Sequence, residues 1–204
     1  MPVDIRSATI DDLDEVAATL AEAFANDPLA AWLYPDEELR DRQNEASYRY
    51  FAEHGYLHHG ESQIIDHTAA ALWMPVGEHL GEEFWSEHGA AYAATVGGDM
   101  ERGLQFAELV IPHVPTEPHR YLFAIGVRAT GQGQGVGGAL LDHALEAADA
   151  DREAAYLEAT TPRSRALYER HGFEAIGAIE LPDGPTLWPM WRPPIGADCS
   201  AARG

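Results

Sequence analysis

Tyr121-Leu122-Phe123-Ala124-Ile125-Gly126-Val127, followed after Arg128-Ala129-Thr130 by Gly131-Gln132-Gly133-Gln134-Gly135-Val136-Gly137-Gly138, is the stretch on which the fold turns. The apolar run has the length and composition of a buried strand. A helix opens directly after it, with Val136, Ala139, Leu140, His143, Ala144 and Ala147 at helical spacing. A glycine turn between a strand and a helix start exposes unpaired backbone N–H groups, and the missing Cβ atoms let a ligand approach them. The positive end of the helix dipole stands behind these groups, so the turn is a phosphate site.

Three phosphate ligands fit such a turn. A P-loop ends in Gly-Lys-Ser/Thr, and this chain has no lysine. A dinucleotide fingerprint is met by Gly133-x-Gly135-x-x-Gly138, with Glu158 lying 20 residues further on. Only 66 residues follow Gly138, too few for the remaining strands of a doubly wound sheet. The segments after it also read as antiparallel strands. An NAD(P)-binding protein is therefore the weaker reading.

The third reading uses more of the residues. Gln132-x-x-Gly135-x-Gly137, after a strand ending Ile125-Gly126-Val127, resembles the acetyl-CoA motif of the GCN5-related N-acetyltransferases. Leu157-Glu158-Ala159-Thr160-Thr161-Pro162-Arg163-Ser164-Arg165-Ala166-Leu167-Tyr168-Glu169-Arg170-His171-Gly172-Phe173 resembles the second half-motif of the same superfamily. The nearest resemblance is to its puromycin N-acetyltransferase-like branch. It extends to Ala23-Phe24-Ala25-Asn26-Asp27-Pro28 and to Leu181-Pro182-Asp183-Gly184-Pro185, and is thin between about residues 35 and 115.

The resemblance implies an α/β (α+β) acyl-CoA N-acyltransferase fold. Its mixed, mostly antiparallel sheet of about seven strands would be splayed around acetyl-CoA, with helices on both faces. Acetyl-CoA would be the cosubstrate and a small-molecule primary amine the acceptor, with antibiotics and aminonucleoside-like amines among the candidates. The backbone of Gln132, Gly133, Gln134, Gly135, Val136, Gly137 and Gly138 would hold the pyrophosphate. That of Ile125, Gly126 and Val127 would pair with the pantetheine arm, the N–H near Val127 facing the thioester oxygen. A glycine within a strand marks a bulge or a close backbone approach. Ser164 stands where relatives often carry a pantetheine-binding asparagine, and Ala129 where they usually carry proline.

Tyr168 is the candidate general acid. A tyrosine titrates near 10 and is protonated at neutral pH, so it can return a proton to a coenzyme A thiolate. Thr161 and Pro162 read as the cap and first residue of its helix, and Gly172 as the stop. Glu158, which ends the strand beside the thioester in the family layout, is the first choice of general base. His119, Glu108 and Asp27 follow. A non-catalytic acyl-CoA sensor would keep the glycine turn and be indifferent to Tyr168.

The remaining chain reads as a strand at 4–9, a helix striped by Leu13, Val16, Ala17, Leu20, Ala21 and Phe24, and a break at Asn26-Asp27-Pro28. A helical region over 36–59 precedes a hairpin of Gln63–Ile65 and Ala69–Met74. A helical insert at about 78–113, interrupted near Gly97-Gly98, is where acceptor selectivity is expected. After the motifs come strands at 173–180 and 186–191. This describes a single domain over 1–195 and a flexible tail over 196–204. Trp73, Trp85, Tyr92 and Phe84 are candidates to line an acceptor pocket.

Composition bounds the rest. Of 204 residues, 34 are acidic and 13 basic, all 13 being arginine, for a formal charge of −21. That opposes nucleic acid and anionic lipid as partners, and no apolar run is long enough for a membrane span. Acidity without lysine fits a halophilic protein, whose self-repulsion salt would screen, and also an ordinary acidic protein from a GC-rich genome in which arginine displaces lysine. Cys199 is the single cysteine, so no internal disulfide forms. A cytoplasmic protein is expected, with homodimerisation open. His54, His58 and His59 lack an HExxH or CxxC context, so no metal site is expected.

Overall fold

The computed structural model describes residues 4–97 and 100–196. The expected tail and Cys199 fall almost entirely outside them, as does Gly98. The chain forms one mixed sheet with helices on both faces. Its strands are β1 (Arg6–Ser7), β2 (Gln63–Ile65), β3 (Ala69–Met74), β4 (His119–Val127), β5 (Ala154–Ala159), β6 (Glu174–Ala175), β7 (Ile179–Glu180) and β8 (Thr186–Arg192). The spatial order is β1-β2-β3-β4-β5-β8-β6, with β7 also on β8. The β4–β5 pair is parallel and every other pair antiparallel.

The helices are α1 (Leu13–Phe24), α2 (Pro28–Leu33), α3 (Arg40–Phe51), α4 (Glu82–Val96), α5 (Glu101–Val110), α6 (Val136–Asp151) and α7 (Pro162–Arg170). Leu140, Leu141, Leu145 and Tyr168 from α6 and α7 bury one face of the sheet together with Trp73, Leu122, Leu157 and Met190. Val16 and Leu20 of α1, with Tyr56, bury the other face against Ile64, Leu72, Met74 and Ala124. Every residue of β3 is buried, which is why its sequence shows no alternation.

Local chemistry sets several boundaries. Asp12 precedes α1 and is gripped by Arg6, which also bonds Asp66 beyond β2. The break expected at Asn26-Asp27-Pro28 is a junction between two helices. The Asp27 carboxylate accepts the Leu29 N–H at 2.8 Å, and Pro28 takes the first helical position of α2, where its missing N–H costs nothing. α3 runs on through a π turn at Ala52–Tyr56.

The strand expected over 173–180 is two short strands. β6 pairs Glu174 with Trp191 and Ala175 with Met190, so the next partner is Pro189. Pro189 accepts the Ile176 N–H but has no N–H to return, and the ladder stops there.

Candidate active site

The site is built on the place where β4 and β5 part. They pair only from His119 to Tyr121 against Ala154 to Tyr156. Beyond that, Leu122–Val127 and Leu157–Ala159 are not joined to each other. Opposite β3, the register of β4 slips by one residue, so that Leu72 faces Ala124 while Trp73 faces Leu122. Phe123 is the extra residue, and the bulge it makes bends β4. The bulge is therefore at Phe123 and not at Gly126. Gly126 answers the other need of a strand glycine, since a Cβ there would lie 2.8 Å from the Ala23 Cβ of α1.

The parting leaves one edge of β4 free. The Arg128 N–H donates to Thr68 O on the β3 side at 2.9 Å. Peptide groups alternate in direction along a strand, so those of Val127 and Ile125 face the gap. The Gln132 side-chain amide donates to Val127 O at 3.0 Å, and the Gln134 amide to Thr130 O at 2.8 Å. Both glutamines thus brace the turn they belong to.

The turn then presents the start of α6. Gly135 is its N-cap at φ +81, and Gly133 sits at φ +75, both in the left-handed region that glycine tolerates. A Cβ built on either would meet nothing within 4 Å, so the cradle is open on that side. No side chain caps α6. Its first-turn N–H groups, from Val136 to Gly138, have no place in the helix's own ladder and are available to an anion. Glu22 of α1 anchors the turn by accepting the Ala129 N–H at 3.1 Å and the Arg128 guanidinium at 2.9 Å.

α7 delivers Tyr168. Its start is a capping box in which Ser164 N–H donates to Thr161 Oγ1 at 3.1 Å and Thr161 N–H to Ser164 Oγ at 3.2 Å. Ser164 Oγ also donates to Thr161 O, so this hydroxyl is committed to the cap. At the other end, Gly172 at φ +86 donates to Glu169 O while Phe173 donates to Tyr168 O. That is a Schellman stop, and Phe173 makes its hydrophobic contact edge-on to the Tyr168 ring at 6.0 Å. Tyr168 is thereby fixed at both backbone and ring. Burial raises its pKa, with the Asp27 carboxylate adding in the same direction. Among the described residues its hydroxyl makes no hydrogen bond.

Glu158 sits on β5 where the strands have parted. Its Oε2 accepts the Tyr121 hydroxyl at 2.8 Å. Its Oε1 is buried with no hydrogen-bond partner among the described residues. Burial pushes the carboxyl above its ordinary range, and the Tyr121 hydroxyl, with that of Tyr156 after it, opposes this in part. A carboxylate with a raised pKa, one free oxygen and no cation beside it is the environment of a general base.

The other sequence candidates fall elsewhere. His119 is at the closed end of the β4–β5 pair, against Tyr156 and Trp191. Glu108 is exposed on α5. Trp85, Tyr92 and Phe84 do gather on α4 against Phe51. Trp73 does not join them, because it lies on the α6 side of the sheet. Its neighbour in sequence, Leu72, takes the other face, as strand alternation requires.

Sequence reasoning missed Tyr121, which holds Glu158, and the Glu22–Ala129 bond. It also missed the link from Asp27 Oδ2 to the Thr160 hydroxyl at 2.7 Å, which ties α2 to the open end of β5. Only Asp27 carried a signal, the Asp-Pro pair that starts a helix.

A family model of the acetyltransferase (GNAT) domain matches residues 87–175. The chain is 30% identical to a structure from Corynebacterium glutamicum described as histone acetyltransferase HPA2 and related acetyltransferase, with 95% of this chain and 97% of that one covered and a TM-score of 0.72. It is 18% identical to a Drosophila melanogaster polyamine N-acetyltransferase, with 93% and 99% covered and a TM-score of 0.64. Against arylalkylamine N-acetyltransferase 2 from Aedes aegypti it is 15% identical, with 93% and 98% covered and a TM-score of 0.65.

Proposed function

We propose that this chain, which belongs to the GNAT acetyltransferase family, transfers acetyl from acetyl-CoA directly to the primary amine of a small molecule, with no acyl-enzyme. The observation that carries this reading is the free edge of β4, running into an uncapped helix start, beside the buried Glu158 carboxylate on β5.

In this reading the N–H groups from Gly133 to Gly138 bind the pyrophosphate. The gap-facing peptide groups of Ile125 and Val127 pair with the pantetheine arm. The Val127 N–H donates to the thioester oxygen and stabilises the charge that develops there. Glu158 accepts a proton from the bound ammonium through its free Oε1, leaving a neutral amine to attack the thioester carbon. The new N–C bond forms as the C–S bond breaks, Tyr168 gives its proton to the departing thiolate, and the second proton shed by the new amide nitrogen restores the tyrosine hydroxyl. The side chains of Ile125 and Val127 remain packed on the α6 core, since their part in binding is main-chain.

α4 and α5 form the insert that shapes acceptor choice. Tyr92 of α4 shares a hydrogen bond with Ser47 of α3 at 2.9 Å and so couples the insert to the helices bordering the gap. Related folds include a polyamine acetyltransferase that forms N-acetylagmatine and an arylalkylamine acetyltransferase, which makes cationic amines the first acceptors to test. Aminonucleosides belong in the same panel on the strength of the puromycin-branch resemblance.

The test joins a thermal-shift titration to an amine screen for free coenzyme A release. Stabilisation by acetyl-CoA with amine-dependent thiol release is expected. Stabilisation by NAD and not by acetyl-CoA would overturn the cofactor assignment. Binding of acetyl-CoA with no turnover of any amine would favour a sensor.

A further inference from the structure

Two carboxylates border the gap on its α1–α3 side, and neither has a cation. Glu158 is one. The second is Asp27, whose Oδ2 bonds the Thr160 hydroxyl. Thr160 follows Glu158 by two residues and so projects from the same face of the chain. Neither carboxylate takes part in an ion pair among the described residues, although six of the thirteen arginines do. Burial is the leading influence on both, raising each above its ordinary range, and no cation acts on either. Buried charges are normally paired.

Capping alone does not call for a charge at Asp27. Asparagine, serine or threonine would satisfy the Leu29 N–H as well, without placing a carboxylate in a dry site. The α1–α3 side of the sheet also carries aromatic rings. Phe24, Tyr48 and Phe123 form a continuous aromatic contact at 5.4 and 6.2 Å, and ring faces attract cations. Tyr48 and Tyr168 both lie within electrostatic reach of Asp27. Two residues of extended chain put Thr160, which holds Asp27, about 7 Å along from Glu158.

We infer that Asp27 is a second anionic subsite for the acceptor, so that the preferred acceptor is a short dicationic amine. Its reacting nitrogen lies at Glu158, and a second ammonium or a guanidinium lies at Asp27. This rests on the acetyltransferase reading for the reaction and on the geometry of Asp27 for the second charge. Amines bearing a carboxylate or phosphate meet two unpaired acids here and are excluded. The charge of −21 draws cationic acceptors to the surface from all sides.

The experiment compares a short α,ω-diamine with the monoamine of equal chain length at saturating acetyl-CoA. It uses the native protein, Asp27→Asn and Asp27→Ser, both of which keep a capping side chain. The native protein is expected to prefer the diamine. Each variant is expected to raise the diamine KM by about 10-fold or more over any change in the monoamine KM, since what Asp27 does to Tyr168 is common to both amines. Equal losses on both amines, or no native preference for the diamine, would overturn the subsite and leave the acetyltransferase intact. Calorimetric titration of the diamine into the protein–coenzyme A complex reads the subsite without turnover. Binding lost in both variants supports it, and binding unchanged in either folded variant refutes it.

Discussion

In the proposed reading, the cofactor side and the acceptor side of the β4–β5 gap are made from different parts of the peptide. On the cofactor side the contacts are backbone: the free edge at Ile125 and Val127, and the N–H groups of the glycine turn. They come from one stretch of sequence, 125–138. On the acceptor side the contacts are side chains: Asp27 from the α2 cap, Tyr48 from α3, Tyr121 and Phe123 from β4, Glu158 from β5. They are gathered from segments far apart in the chain. A backbone site tolerates many side chains and needs only glycines in the right places. A side-chain site changes its chemistry with each substitution. The two sides should therefore respond differently to mutation.

Tyr168 joins the two sides and carries the largest expected effect. Tyr168→Phe should lower kcat by about 10²–10⁴-fold, the usual scale for an acid–base group. Among the described residues the hydroxyl makes no hydrogen bond, and the ring contact with Phe173 survives in phenylalanine, so the melting temperature should hardly move. Steady-state kinetics with a melting curve checks both halves. A loss of stability matching the loss of activity would make Tyr168 a core residue and no more.

Two glycines test the comparison next. Gly126→Ala places a Cβ 2.8 Å from Ala23 and 3.0 Å from Leu20, so α1 must shift. Overpacking of this kind costs about 1–3 kcal/mol, read as a lower melting temperature, and it disturbs the acceptor side through α1. Gly135→Ala has open space around its Cβ but a left-handed backbone at φ +81. Its cost is about 1–2 kcal/mol of conformational strain. It should appear as a higher KM for acetyl-CoA with the acceptor KM unchanged. If both variants raised the same KM, the division into two sides would fail.

How much of this was legible in the sequence follows the same division. The strand, glycine turn and α6 were readable because their signals are local: an apolar run, positive-φ glycines, a 3.6-residue stripe. The stop of α7 at Gly172-Phe173 was readable for the same reason. The dinucleotide fingerprint also fitted, and locally with cause, since β4, α6 and parallel β5 do form a βαβ unit. What separates the two readings is the antiparallel sheet around that unit, which no single motif encodes. The bulge at Phe123 left no mark, because a one-residue register slip depends on the partner strand. Tyr121 as the partner of Glu158, and Thr160 as the partner of Asp27, depend on which strands become neighbours, and pattern alone does not supply this.

Glu158 sharpens the acceptor side through pH. A base must be deprotonated, so kcat/KM should rise with pH through a pKa above the ordinary glutamate value of 4.5, because burial raises it. Glu158→Gln should remove that acidic limb. The raised pKa has a stability consequence of opposite sign. A carboxyl whose folded pKa is raised favours the unfolded state once it ionises. Stability should therefore improve as pH falls through the folded value and level off below the unfolded one. Glu158→Gln should thus melt higher than the native protein at neutral pH and lose that advantage in acid. The gain should be about 1.4 kcal/mol for every tenfold by which folding tightens the carboxyl's hold on its proton. A lower melting temperature at pH 7 would mean that Glu158 contributes to the fold.

The smallest effect belongs to Ala129, on the cofactor side. Relatives of this family usually carry proline at this position, and the backbone would accept it. Arg128 already lies at φ −56, ψ 154, the conformation a following proline demands, and Ala129 is the first residue of a 3₁₀ turn. Proline there should stabilise by about 0.4–1 kcal/mol through a less disordered unfolded chain. Against this, the Ala129 N–H donates to Glu22 at 3.1 Å, and proline has no N–H to give. That exposed bond is worth about 0.5–1.5 kcal/mol. The two terms nearly cancel, so Ala129→Pro should move stability by less than about 1 kcal/mol. The informative measurement is a double-mutant cycle with Glu22→Gln. Removing the Glu22 charge should cost less in the proline background, because only its pair with Arg128 is then left to lose. An equal cost in both backgrounds would show that Glu22 steadies Arg128 and plays no part in holding the turn.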